Sequence, residues 1–460
     1  MRRTLLYLTY KFPPILSVES LRAKRFARYL PDHGWRPVVL TLAARPDQRV
    51  DRGLLAPAME DAPVLRVTPA FQSLLRARQT LREGSRSDRR LASLLGAPYR
   101  FFSVGPPVTA SVLLRAQWAV KRFAPDLVLA SFGPPSALWA AHLLNSLHGV
   151  PYVAEFRDLW VGNEYSNKLK GTYTGRGKYS GVLSALKQKR QLARQQAGQE
   201  RTLVDGSCGL VVVGEQMVET YCARYPAKAE RVLELSHGFD EEDFPGTPQE
   251  LARSAASRDR TEPVLLCHLG TLHQFRRTDT LFAAIRAAAQ RNPKLTERVR
   301  LVFVGNVDPA NRRAIETCPV LSTMVSLLNR VPHKEALRLA LDSDALLLLT
   351  GPLVWEQTGK LSEYVAMGRP ILCLSHPDSS ASRLVRRTGT GTVFPHGETE
   401  ALTEFLVNVS ADRSALGALW NPDFDEIDKL SARALTGKLA GFLEECVETA
   451  ARETRRPGEP

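Results

Sequence analysis

The 460-residue chain has little cysteine: Cys208, Cys222, Cys267, Cys318, Cys373 and Cys446 are scattered, with no CxxC pair and no histidine at metal-ligand spacing. That excludes a disulfide framework and the usual zinc motifs, and the thiols read as reduced core groups of a cytosolic protein. It also lacks any uninterrupted apolar run near the roughly 18 residues that a membrane-spanning helix requires. The opening MRRTLLYLTYKFPP has two arginines, but its apolar stretch is short and runs into Lys11 and a proline pair, so it reads as a first strand and not as a secretory signal. Neither an aromatic stacking array nor a recognisable nucleic-acid module is present, which ranks nucleic acid last among partners despite a formal charge of +14.

That charge is unevenly spread. Between 71 and 122 ten Lys and Arg face only Glu83 and Asp88, and between 164 and 203 nine face Glu164 and Glu200, so the remainder of the chain is about neutral. Leu74, Leu75, Leu81, Leu91, Leu94, Leu95, Tyr99, Phe101 and Phe102 interleave with the first patch. An amphipathic segment lying on an anionic membrane face has this pattern, and so does a solvated loop and helix; both readings stay open.

What the chain has in quantity is alternation. Its 44% apolar content over this length is too much for one core and fits two α/β domains. Strands are expected at 5–10, 38–42, 64–67, 127–131, 151–156 and 210–213, and again at 264–270, 301–305, 326–331, 345–351, 370–375 and 391–395, with helical patterns between most of them. In the first connection Leu21, Phe26 and Leu30 share a helical face and Gly34 ends it. This βαβ grammar predicts two doubly wound parallel sheets with a cleft between the domains. Residues 1–240 form the first, the polar stretch 241–262 links them, 263–425 form the second, and 426–452 make an amphipathic helix bracing both.

Residues 358–370, TGKLSEYVAMGRP, point to a ligand. Leu361, Tyr364, Val365 and Met367 have helical spacing, with Gly368 as a stop and Pro370 beyond, and Glu363 is expected in the first turn. A helix N-terminus carries unpaired N–H groups and partial positive charge; Gly359 allows close approach of a ligand and Lys360 adds a full charge. The expected guest is a phosphate, though an ordinary surface helix with a solvated lysine would read the same. A Walker A loop is excluded, since Val354 stands five residues before Gly359 and Leu361 follows Lys360.

Taken in order, FPP with SLRAKRFARYLPDHGWRPVVLT, PDLVLASFGPPSALWAAHLLNSLHGVPYVAEFRDLW, GLVVVGEQM, SHGFDEEDF, LGTL, LVFVG and TGKLSEYVAMGRPIL resemble the GT-B glycosyltransferases of family 4, in particular the bacterial branch building cell-surface polysaccharides. The resemblance spans roughly 5–445. It implies two Rossmann-like domains, a nucleotide-sugar donor held mainly by the second, a glycan or lipid-linked acceptor held by the first, retention of configuration, and no metal or other cofactor. A cytoplasmic enzyme, peripheral to the inner face of the cytoplasmic membrane if the basic patches bind lipid, would follow.

Carried over residue by residue, Glu363 matches the second glutamate of the family's Glu, seven residues, Glu pattern, which grips the ribose hydroxyls. The first glutamate would fall at 355, where Trp355 stands, with Glu356 one residue off. Thr358, Gly359, Lys360 and Leu361 are expected around the diphosphate or donor sugar. Gly270 would admit the phosphate; it is followed by Thr271 where relatives carry arginine, so Arg276 or Arg277 is the expected cation. Gly305, Asn306, Val331, Pro332 and His333 resemble the nucleobase pocket. Arg157 and Asp158 fall where relatives place a His-Asp pair; Asp158 is the candidate base for the acceptor hydroxyl, Arg157 its orienting partner or a ligand of a lipid phosphate, and a buried structural pair the competing reading. Ser17, Glu19, Ser20 and Arg22 are the polar residues offered to the acceptor. A nucleotide-sugar epimerase of the same fold and an inactive scaffold are the alternatives.

Overall fold

Near-continuous apolar runs such as LVLAS and ALLLL suit strands covered on both faces by helices, as parallel sheets require. In the computed structural model β4 (Leu127–Ser131), β5 (Tyr152–Phe156), β11 (Ala345–Leu349) and β12 (Ile371–Ser375) are buried at every residue. The structure describes residues 2–44, 48, 50–54, 62–68, 106–163, 182–256, 263–273, 275–276 and 278–454, without side chains at 106–107, 182–190 and 192. The chain divides into two compact units, the first comprising Met1–Val213, Met217–Leu235 and Thr436–Pro460, the second Gly214–Gln216 and Ser236–Leu435.

In the first unit β1 (Arg3–Leu8), β2 (Trp35–Leu42), β3 (Val64–Val67), β4, β5, β6 (Gly209–Val212) and β7 (Val232–Glu234) form a parallel sheet in the order β3-β2-β1-β4-β5-β6-β7. The order reverses between β1 and β4, where Leu5 faces Leu127. β7 was not expected: three residues are too few for a sequence pattern. The helix Val18–Tyr29 crosses from β1 to β2, and the chain turns at Gly34 with φ 80°. Phe26 and Leu30 are buried as expected, but so are Glu19, Ser20 and Arg22, so this helix is buried on more than its apolar face.

In the second unit β8 (Val264–Leu269), β9 (Val299–Val304), β10 (Val325–Leu328), β11, β12 and β13 (Gly391–Pro395) form a parallel sheet in the order β10-β9-β8-β11-β12-β13, reversing between β8 and β11. Two doubly wound units are the GT-B architecture that the resemblance implies. The stretch expected as a plain linker is partly helical: Pro248–Ala256 is a helix whose Leu251 carbonyl accepts from the buried Arg369 Nη1 at 2.8 Å, within the second unit. At the other end a short helix, Phe424–Asp428, precedes a separate one, Ala432–Thr454, so the expected single helix from 426 begins later. Leu435, Leu439, Leu443 and Cys446 give the latter a buried stripe at helical spacings of four, four and three.

Candidate functional site

In a doubly wound sheet, ligands bind beyond the carboxyl ends of the strands at the point where the order reverses. In the second unit that point lies between the loops after β8 and β11. Gly270 ends β8 with φ 114° and Gly305 ends β9 with φ 145°, a region that side chains rarely tolerate. The two glycines pack backbone to backbone: a Cβ on Gly305 would stand 2.5 Å from the Gly270 carbonyl oxygen. A Cβ on Gly270 would stand 2.8 Å from Lys360 Nζ, so the lysine amine lies directly over this glycine.

Lys360 belongs to the helix Gly359–Ala366, which Thr358 precedes as N-cap without a side-chain capping bond. Leu361, Tyr364, Val365 and Met367 are fully buried and anchor it. The buried hydroxyls of Thr358 and Ser362 have no hydrogen-bond partner among the described residues. Glu363 is in the second turn, not the first as expected, because the helix begins at Gly359. It is largely buried, with Oε1 3.0 Å from His333 Nε2. His333 opens the helix His333–Leu341, with half-buried Val331 and exposed Pro332 before it, while Asn306 is exposed beside Gly305.

Three charged side chains surround Lys360. Arg276 Nη2 pairs with Glu356 Oε1 at 2.8 Å, and Glu356 Oε2 accepts from the Gly351 N–H at 3.4 Å. Glu356, one position from the family pattern, therefore enters the site as the partner of Arg276. Burial pushes the Lys360 amine down to about 7, with Arg276 adding to the effect and Glu356 and Glu363 opposing it. Arg276 Nη1 is buried without a hydrogen-bond partner among the described residues. Arg277 lies outside the described residues. Thr271, named with Gly270 among the donor-site positions, has its hydroxyl accepting from Arg330 Nη2 at 3.2 Å, so a third cation stands beside this loop.

Two residues of this constellation were missed. Arg330 lies 59 positions from Thr271, and only folding joins them. His268, fully buried on β8 beside Lys360, did leave a signal: an imidazole inside the apolar run VLLCHLG.

In the first unit, Asp158 is exposed beyond β5. The close ion pair of Arg157 is with Glu19, at 3.2 Å, and its Nη2 donates to the Phe132 carbonyl at 2.9 Å. Glu19, not only Asp158, therefore orients Arg157, whose Nε is buried without a hydrogen-bond partner among the described residues. Burial works against the Arg157 charge, but Glu19, Glu155 and Asp158 outweigh it and hold it above the ordinary arginine value. Arg22 leaves the acceptor set: it is buried, its Nε 2.7 Å from Glu155 and its Nη2 donating to the Leu235 carbonyl. Ser17 is occupied as an N-cap, its hydroxyl accepting from the Ser20 N–H at 3.1 Å, and the Ser20 hydroxyl is buried without a partner among the described residues. Glu19 also accepts from the Lys11 N–H at 3.2 Å.

The family model described as "Glycosyl transferase 4-like domain" matches residues 20–238. This stretch, a little under half of the chain, is similar to that family. No protein of curated function matches the sequence. Around the glycosyl transferase 4-like domain, the whole chain has the fold of several solved structures. The catalytic domain of starch synthase IV from Arabidopsis thaliana, bound to ADP and acarbose, superposes with a TM-score of 0.60 at 10% identity over 98% of this chain and 100% of that one. HepE from Anabaena, in complex with UDP and glucose, gives 0.56 at 16% identity over 98% and 100%. A UDP-N-acetylglucosamine 2-epimerase gives 0.50 at 15% identity, covering both chains fully. These likenesses establish the fold.

Proposed function

We propose that the chain is a nucleotide-sugar-dependent glycosyltransferase whose donor site is the Gly270, Lys360 and Glu363 constellation of the second unit. The observation that carries this reading is the juxtaposition itself: a lysine amine over a glycine at the sheet's reversal point, beside a largely buried carboxylate on the same helix. A carboxylate accepts two hydrogen bonds from a ribose diol, and Lys360 and Arg276 meet the charge that appears on the diphosphate when the glycosyl–oxygen bond breaks. Thr358 and the first-turn amides of its helix complete the anion site. In this reading the bond between the anomeric carbon and the phosphate oxygen breaks, its electrons go to the leaving diphosphate, and the acceptor oxygen forms the new bond. Asp158 is assigned the acceptor hydroxyl's proton, with Arg157 orienting that carboxylate. Retention of configuration, independence of metal and a glycan or lipid-linked acceptor complete the proposal.

The test is calorimetric titration with UDP, GDP, dTDP and ADP, followed by incubation of the matching nucleotide-sugar with and without candidate acceptors. Micromolar binding of one nucleotide and acceptor-dependent release of nucleoside diphosphate are expected. Donor turnover that needs no acceptor and changes the sugar's configuration would favour the epimerase alternative; no binding at all would favour a scaffold.

Attachment to an anionic membrane belongs to the same proposal. No helix among the described residues is long and apolar enough to cross a membrane. The helix Pro106–Phe123, however, exposes Leu114 and Trp118 one turn apart, beside exposed Arg115, Lys121 and Arg122, with the Arg115 guanidinium stacked 4.2 Å over the Trp118 ring. Apolar and aromatic side chains ringed by cations suit an anionic lipid surface. The apolar stretch of the first basic patch up to residue 105, and 164–181 of the second, lie outside the described residues. Flotation with anionic vesicles that fades with salt is expected; flotation indifferent to salt and lipid charge would reject it.

A further inference from the structure

A cavity of about 380 Å³ bordered by Arg369, Arg413 and Trp420 has its cations already engaged, Arg413 in an ion pair with Asp344 and Arg369 in hydrogen bonds to the Ser343, Leu251 and Leu341 carbonyls. The buried imidazole beside the proposed donor site carries more. His268 Nδ1 is 2.8 Å from the Leu347 carbonyl oxygen, and its Nε2 is 3.4 Å from Lys360 Nζ. A carbonyl only accepts, so Nδ1 holds the proton. A neutral imidazole then presents a bare lone pair at Nε2, and Lys360 must be the donor of that contact. Burial, reinforced by Lys360 and Arg276 and only partly offset by the Leu347 bond, keeps the imidazole neutral, well below the usual histidine range.

We infer that His268 is a positioning residue for the diphosphate-binding lysine: locked on Leu347, it takes one hydrogen bond from Lys360, holding the amine over Gly270 with its remaining donors turned to the incoming phosphate. The inference rests on the donor-site reading of Lys360. The surroundings explain why such a support is useful. Lys360 stands among Arg276, whose like charge disfavours its ammonium, the carboxylates of Glu356 and Glu363, which would draw it aside, and His273. A neutral acceptor on a rigid central strand fixes the long side chain without cancelling its charge. Ordering a lysine costs rotamer entropy, and making that payment before the ligand arrives raises affinity.

The experiment has two readouts on the full chain. The first needs no nucleotide: acetylation rates of Lys360 followed by mass spectrometry from about pH 6 to about pH 10 report its titration. His268→Leu, which removes the acceptor, is expected to lower the midpoint by roughly half a unit or more, and His268→Gln, which offers an amide oxygen near the Nε2 position, to restore it. The second is affinity for whichever of UDP, GDP, dTDP and ADP the native chain binds. His268→Leu should weaken it about tenfold and His268→Gln by much less. In a Lys360→Met background the His268→Leu effect should shrink to less than about twofold, as coupling through the lysine demands. An unshifted acetylation midpoint, or an equal loss of affinity with and without Lys360, overturns the inference; a purely structural histidine would give the latter. If the native chain binds no nucleotide while the acetylation midpoint still follows residue 268, the support of Lys360 by His268 stands and the donor-site reading falls.

Discussion

His333 and Glu363, thirty positions apart, meet with Nε2 3.0 Å from Oε1, the first opening one helix and the second in the second turn of another. One carboxylate oxygen of Glu363 is thus held in place by an imidazole, which pre-orients the group proposed to grip the ribose. Glu363→Ala should weaken nucleotide binding by roughly 1.5–3 kcal/mol, as loss of charge-assisted hydrogen bonds does. Glu363→Gln should fall between. Calorimetry decides it, and equal affinities in all three proteins would remove Glu363 from the site.

Lys360 gives the affinity a pH dependence of known sign. Its amine, brought down to about 7, is partly neutral in the free protein, and a bound diphosphate favours the charged form. Binding therefore takes up a proton between about pH 7 and the higher midpoint of the complex, and affinity declines as pH rises through that window. Titration near pH 8 in buffers of different ionisation enthalpy should reveal uptake, absent in Lys360→Arg. The same depression makes this lysine a destabilising element that fades with rising pH: between about 7 and the ordinary lysine value the unfolded chain binds more protons, so stability climbs.

Arg276 and Glu356 should respond with opposite signs. Arg276→Ala removes a cation and is expected to weaken diphosphate binding about tenfold. Glu356→Ala removes the carboxylate that occupies Arg276 at 2.8 Å and repels the ligand, so the bare diphosphate should bind as well or better. A comparable loss in both would mean that Glu356 contacts the nucleotide itself.

Gly270 and Gly305 separate binding from stability. In Gly270→Ala the new methyl meets the movable end of Lys360, so affinity should fall while thermal stability drops modestly, by about 1–2 kcal/mol from the left-handed backbone. In Gly305→Ala it meets the Gly270 carbonyl at 2.5 Å, where backbone must shift, so the melting temperature should fall further. Calorimetric melts of the two variants rank them.

Arg22 and Glu155 form a buried pair 2.7 Å apart, supported by the Tyr7 hydroxyl. Glu155→Ala leaves an uncompensated guanidinium and should cost about 3–5 kcal/mol in urea unfolding. Burial alone would raise the Glu155 carboxyl, but Arg22, Arg157 and the Ser131 bond hold it below its ordinary value. Its stabilisation is therefore complete above the unfolded carboxyl's value and is lost as pH falls through the lower folded one, so the native chain should be the more sensitive of the two to acid.

The strands were legible in sequence because parallel strands are buried on both faces and must be written as continuous apolar runs; all but the three-residue β7 could be named. The helix at Gly359 was legible for the same reason, since Leu361, Tyr364, Val365 and Met367 repeat at helical spacing and Gly368 stops it. Those runs also carry the order of the elements, and hence two doubly wound sheets with a helix opening at Gly359 after β11. Which side chains meet beyond the strand ends was decided only by the tertiary structure. Arg22 looks like a polar loop contact in sequence, yet the crossing of its helix over the sheet points it at Glu155. His268 and Lys360 are 92 positions apart, and nothing local links them. The periodicity of a segment reports which of its faces is buried, whereas a site is assembled from the ends of several segments, and only the order of strands in the sheet brings those ends together.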